Sequence, residues 1–255
     1  MDMDALISAI ASFVGVAVYL YLGWRLSRRR VSPEARLPAA QFSLFWLGLA
    51  VSSAITGVES AIATVQTPTL AIVMTLLYLD ILLVCLLLWA LVGYLMYLFF
   101  GRGFVIPLSV LYATLYVLLL YFITASSPSS VTVTLGTVGT TFANSVQGPV
   151  FAVLLLVLIF PEFIGAILYF TLFFRTRDPT VRYRVTLVSW SLIAWFGLGF
   201  LNVGSILGGG LAGQIFVRSL GLLAALVILS AYYPPKAIRT RWGVASVEEA
   251  VAAPG

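Results

Sequence analysis

The sequence contains no histidine, a single cysteine and little charge: only 9% of its 255 residues are Asp, Glu, Lys or Arg. Without His there is no imidazole to ligate haem or zinc and no nucleophile–His pair, which sets aside most metalloenzyme and hydrolase chemistry. Cys85 alone cannot close an internal disulfide, so cysteine usage says nothing about redox compartment. Scarcity of charge excludes an ordinary soluble domain, where about a quarter of residues are charged. Apolar residues take the place of the missing charge, at 62%. No catalytic constellation, metal cluster or cofactor motif is visible, and the sequence predicts neither an enzyme nor a bound cofactor.

The apolar residues fall into runs about as long as the ~20 residues that cross a ~30 Å hydrocarbon core. Seven spans are expected, at about 5–24, 41–65, 69–100, 104–125, 149–174, 185–202 and 214–233. They imply an all-α integral membrane protein, a seven-transmembrane-helix bundle occupying 1–242 as one domain, followed by a short disordered cytoplasmic tail at 243–255. The first span lacks the basic leader and cleavage site of a signal peptide and reads as a permanent helix. Between the fourth and fifth spans, Ser126 to Gly148 turns to Ser, Thr, Gly and Val. There Val131–Leu135 alternates with period two, and Gly136 and Gly139 offer turn positions, predicting a short extracellular β-hairpin.

Fourteen basic residues face nine acids, an excess that in a soluble protein would suggest nucleic acid. Their placement follows membrane topology instead. Thirteen of the fourteen lie in loops one, three and five or in the C-terminal tail, and none in the alternate loops. Cytoplasmic loops carry such an excess, so the chain is oriented N-out and C-in in the cell membrane. Anionic lipid headgroups at the cytoplasmic face are the expected partner, and nucleic acid is not. Trp24, Trp190, Tyr232 and Tyr233 near span ends read as interfacial anchors.

The remaining base, Arg218, lies inside span seven, and Glu59, Asp80 and Glu162 lie inside spans two, three and five. An ionisable group at the bilayer centre costs about 2.5–3.5 kcal/mol on insertion scales, so these four are candidate ligand or ion sites. Counting from the outer helix ends puts Arg218 and Glu59 at roughly 8–10 Å depth, Asp80 at about 16 Å and Glu162 at about 20 Å. Gly48, Ser52, Thr56, Glu59 and Ala63 form one small, polar stripe, the mark of an interior face. In an ordinary ring, spans two, three and seven are neighbours, and Arg218 is expected to pair with Glu59 or Asp80. Three acids against one base cannot all be ionised and paired, so at least one needs a proton, a cation or water. Pro161 beside Glu162 removes a helix donor and favours a kink there. Trp195 and Asn202 share a face of span six and are further candidates for lining an outer cavity.

Arg36 followed by Trp46-Leu47-Gly48-Leu49 is echoed by Arg184 followed by Trp195-Phe196-Gly197-Leu198. This fits a three-plus-one-plus-three arrangement of parallel repeats, as in some transporters. The topology resembles that of rhodopsins and seven-helix receptors, but span seven holds no Lys for a retinal Schiff base, and topology alone confers no function. The expected functions, in order of preference, are a small-solute or ion transporter, proton-linked through the acids; a receptor or sensor acting through a separate cytoplasmic partner; and a structural subunit of a membrane complex. A second copy of the chain or another membrane subunit completes the set of candidate partners.

Overall fold

The computed structural model describes residues 2–29, 31–134, 136–142, 147–203 and 211–244. Among these residues it is mostly helical (84%), with one two-stranded sheet. The long helices are α1 (Met3–Ser27), α2 (Arg36–Ala63), α3 (Leu70–Phe100), α4 (Val105–Ala125), α5 (Gln147–Arg175), α6 (Pro179–Val203) and α7 (Leu211–Tyr232). A short basic helix, α8 (Lys236–Trp242), follows Pro234-Pro235. The connection between the sixth and seventh expected spans lies outside the described residues from 204 to 210, and the expected tail does so from 245.

By length and hydropathy, three helical stretches among the described residues are fit to cross a membrane: Met3–Ser27, Pro33–Ala63 and Leu70–Ala125. A fourth is the pair Arg218–Tyr232 and Lys236–Trp242, bent by 54°. The 56-residue stretch from Leu70 to Ala125 reverses at a 3-10 turn, Gly101–Phe104. Gly101, at φ +60°, makes the reversal without the clash a side chain would meet. The arms α3 and α4 are tied by Trp89 Nε1 donating to Ser109 Oγ at 2.9 Å.

Two helices begin earlier than their apolar runs. α2 starts at Arg36 rather than near 41, because Pro38 falls in the first turn, where no backbone donor is required. α6 starts at Pro179 rather than near 185; Asp178 Oδ1 caps its first turn at Thr180 N, 2.7 Å away. Arg182 and Arg184 therefore ride on helix rather than loop, since helix geometry continues beyond the apolar segment. α5 runs through Pro161 as a single helix.

The strands β1 (Pro128–Thr134) and β2 (Thr137–Phe142) pair antiparallel, with Thr134 opposite Thr137. Gly136, at φ +76°, is the turn glycine. Gly139, expected as a turn residue, is instead within β2 opposite Thr132, because the two-residue connection leaves no second turn to make. The hairpin rests on the bundle: Ser60 Oγ donates to the Gly136 carbonyl at 3.5 Å, and a Cβ on Gly136 would meet the Asp4 carbonyl at 2.5 Å.

Packing order differs from a simple ring. α1 packs on α2 and α7, α3 on α2 and α5, and α6 on α5 and α7, while α4 packs against α3 and α5 from outside. The main core draws on Leu22, Phe42, Trp46, Leu91, Leu95, Leu192 and Ile228, with no residue from α4. A second cluster joins Leu108, Tyr112, Leu115 and Leu119 of α4 to Leu88 and Val92 of α3. The outer face of α4 leaves Ile106 74%, Val110 62% and Val117 62% exposed, an arrangement stable only against hydrocarbon or another apolar partner.

The basic helix ends are gathered at one end of the bundle. Tyr233 Oη donates to the Arg25 carbonyl (3.0 Å), Tyr97 Oη to the Glu34 carbonyl (2.8 Å), and Arg29 and Arg184 lie over the Tyr232 ring. The opposite end carries the hairpin and Asp2 N, which donates to the Thr64 carbonyl at 3.1 Å.

Small residues let α1 and α2 approach. A Cβ on Gly23 would lie 2.7 Å from Leu47 Cγ and 3.0 Å from the Leu47 backbone nitrogen, whereas one on Gly15 would meet only ordinary contacts at 3.4 Å or more. Gly23→Ala is expected to destabilise the protein by about 1–3 kcal/mol through overpacking. Gly15→Ala is expected to change stability by less than about 0.5 kcal/mol. Thermal midpoints of the two variants in detergent check the contrast.

Candidate functional site

Glu59 and Asp80 lie on the neighbouring helices α2 and α3, with Asp80 close enough to act electrostatically on Glu59. The stripe Gly48, Ser52, Thr56, Glu59 is what faces α3: Gly48 is pressed against Leu87, and Ser52 Oγ donates to Asp80 Oδ1 at 2.5 Å. Asp80 is the charged group that acts on Glu59, and both carboxyl-bearing residues are half-buried. Among the described residues no base is paired with either. Two carboxylates within electrostatic reach of each other repel.

Arg218 does not join them, contrary to the pairing expected from a simple ring. α1 stands between α2 and α7, and Arg218 Nη1 donates to the Ser8 carbonyl of α1 at 2.5 Å. Its electrostatic neighbour is Tyr19, also on α1. Tyr19 Oη leans on Gly221, where a Cβ would be 2.7 Å away, and its ring lies 6.4 Å from that of Trp195. Trp195 packs against the main core, and its Nε1 is buried without a hydrogen-bond acceptor. Arg218, Tyr19 and Trp195 thus form a donor-rich centre among α1, α6 and α7, separated from the acids by α1. Asn202 is in α6, but its side chain lies outside the described residues.

Glu162 is a third, separate feature. It is 4% exposed on α5, with one carboxyl oxygen lacking a hydrogen-bond partner, and acts electrostatically on Tyr112 of α4. The three acids therefore do not gather. No set of three His, Cys, Asp or Glu residues among those described is placed to hold a metal ion.

Sequence reasoning missed a hydroxyl network at the basic end. Tyr94 Oη on α3 bonds to Tyr169 Oη on α5 at 3.0 Å and to Tyr232 Oη on α7 at 2.9 Å. Phe42 of α2 stacks on Tyr94 at 4.3 Å between ring centroids. Tyr232, expected as an interfacial anchor, is instead buried at 6% exposure, since its hydroxyl finds a partner inside the bundle. A tyrosine near a helix end carries both readings, and only its partners decide between them.

Tyr94→Phe removes both bonds of this network and is expected to cost about 1–3 kcal/mol, because it leaves two buried hydroxyls short of a partner. Tyr169→Phe keeps the Tyr94–Tyr232 bond and is expected to cost about 0.5–1.5 kcal/mol. Equilibrium unfolding in mixed detergent ranks the two. No family model matches this sequence, and neither a curated protein nor a solved structure matches it.

Proposed function

We propose that this chain is a multi-pass protein of the cell membrane, with α1 to α7 all spanning, its N-terminus outside and its C-terminus inside, and that it moves a small solute or ion across the bilayer. The observation that carries the reading is that Asp80 acts electrostatically on Glu59 across neighbouring helices, with no base paired to either among the described residues. In water such a pair would be unremarked. Within an apolar span it repels itself unless a mobile cation or proton occupies it, and occupancy that changes is what coupled transport needs. Arg218 with the Trp195 indole N–H offers a second centre, of opposite sign, for the anionic or acceptor group of a solute.

Support also comes from the packing order. α2 packs on α1 and α3 as α6 packs on α5 and α7, and α3 meets α5 as α7 meets α1, with α4 outside. Trp46 on α2 and Trp195 on α6, the two tryptophans of the repeated sequence echo, flank Tyr19 at 6.0 and 6.4 Å. Two parallel three-helix units linked by an outlying helix can rock against each other. Orientation rests on the gathering of basic helix ends on one side.

A receptor or sensor is the second reading, favoured by the hairpin seated over the outer ends of α1 and α2. It requires a cytoplasmic partner recruited when a ligand binds beneath the hairpin. Failure to crosslink any protein to the basic face in native membranes would remove it.

In liposomes loaded with a pH-sensitive dye, inward gradients of Na⁺, K⁺, Mg²⁺ or Ca²⁺ are expected to drive proton movement through the wild-type protein for at least one cation. Asp80→Asn and Glu59→Gln are expected to return that signal to the level of protein-free liposomes. Wild-type traces indistinguishable from protein-free liposomes for every cation, or undiminished traces in both variants, would overturn the transport reading.

A further inference from the structure

At the basic end, where α1 ends and α2 begins, a cleft of about 840 Å³ opens beside α3. Its volume is in the range that holds a small organic ligand. Its walls divide by chemistry: Leu37, Leu44 and Trp89 line an apolar part, while Arg29 and Arg36 line a cationic part. Arg36 is exposed and Arg29 half-buried, the latter held over the Tyr232 ring at 5.0 Å. Such a division suits a molecule with an anionic head and a hydrocarbon body.

The same cleft contains an unmet polar group. Gln41 lines it and is 3% exposed, yet among the described residues neither its Nε2 nor its Oε1 has a hydrogen-bond partner. A buried amide without partners costs about 1–3 kcal/mol per unsatisfied group, so the position is retained against a standing penalty. Room for this side chain is made by Gly93 of α3, where a Cβ would lie 2.3 Å from Gln41 Nε2. Ser43, another polar residue lining the cleft, donates its hydroxyl to the Gly23 carbonyl at 2.8 Å and makes no bond with Gln41. The two guanidinium groups would meet the charge of a ligand's head, and the Gln41 amide, packed beside the cleft against Gly93, would gain partners by turning toward its oxygens.

We propose that this cleft binds the phosphate-bearing head of an anionic amphiphile, with Arg29 and Arg36 on the phosphate, Gln41 on its oxygens or adjoining polar group, and the chain along Leu37, Leu44 and Trp89. The head chemistry is shared by a bilayer phospholipid and a soluble phosphorylated compound. Gln41 lies about 27 Å along α2 from Glu59, so the site is independent of the transport reading.

The test is the thermal midpoint of the full chain in non-ionic detergent, titrated with phosphatidylglycerol, chain-matched phosphatidylcholine or inorganic phosphate. A ligand that binds only the folded state raises the midpoint with its occupancy. Phosphatidylglycerol is expected to raise it and phosphatidylcholine to do so far less. The shift should be lost in Arg36→Gln, weakened in Gln41→Leu and kept in Arg102→Gln, which removes the same charge from an exposed position outside the cleft. Gln41→Leu should melt no lower than wild type without ligand, because it removes an amide that has no protein partner. A shift with phosphatidylglycerol alone identifies a membrane lipid; an equal shift with inorganic phosphate, with the same losses, identifies a soluble phosphate. No shift with either anion, an unchanged shift in Arg36→Gln, or an equal loss in Arg102→Gln would overturn the proposal.

Discussion

The position of α1 decides most of what the polar residues can do. Its small-residue face, Ser8, Ser12, Gly15 and Gly23, lets α2 approach closely on one side, while Tyr19 and the Ser8 carbonyl receive α7 on the other. Ser8 and Ser60 hydroxyls bond across the first seam at 3.0 Å. Where neighbouring lipid is as apolar as a leucine side chain, helices associate through close packing and such hydrogen bonds rather than through burial from water. α1 is therefore a wedge that α2 and α7 share, and it keeps the charges they carry apart.

From that wedge follow two polar centres of opposite character. α2, turned so that Gly57 and Ser60 face α1, necessarily presents Ser52, Thr56 and Glu59 to α3, where Asp80 waits. α7 satisfies Arg218 on a backbone carbonyl of α1, which has a partial negative charge but cannot neutralise it as a carboxylate would. Had α2 and α7 been neighbours, Arg218 could have met a carboxylate of α2 in place of the Ser8 carbonyl. The tyrosine network at the other end ties α3, α5 and α7 together with neutral hydroxyls, so rigidity there does not depend on ion pairs.

Helix positions were legible because apolar run length is set by the bilayer, and the charge asymmetry of the loops marks which helix ends lie together. Boundaries slipped at α2 and α6, where Pro38 and Pro179 occupy first-turn positions that helices tolerate and the basic residues there lie outside any apolar window. The hairpin was legible from the alternation at Val131–Leu135, though Gly139 was not distinguishable from a turn glycine. The neighbours of each helix were not legible: a stripe of small residues states that a face is interior without naming its partner. For this reason Glu59 and Asp80 could be nominated, but the electrostatic link between them and the attachment of Arg218 to α1 could not. Gln41 gave no signal at all, since a polar residue at the start of an apolar run reads as an interfacial position until its burial is seen.

Whether the acid pair recruits an ion is answered most directly by infrared difference spectroscopy of the reconstituted protein, stepping between cation-free and cation-loaded buffer and between two pH values. The expected result is a carboxyl or carboxylate stretching band that responds to at least one of these steps in wild type and is absent from the Glu59→Gln, Asp80→Asn double variant. A wild-type spectrum indifferent to every cation and to pH, or a double variant with the same response as wild type, would contradict the assignment of these two residues as an ion-binding pair.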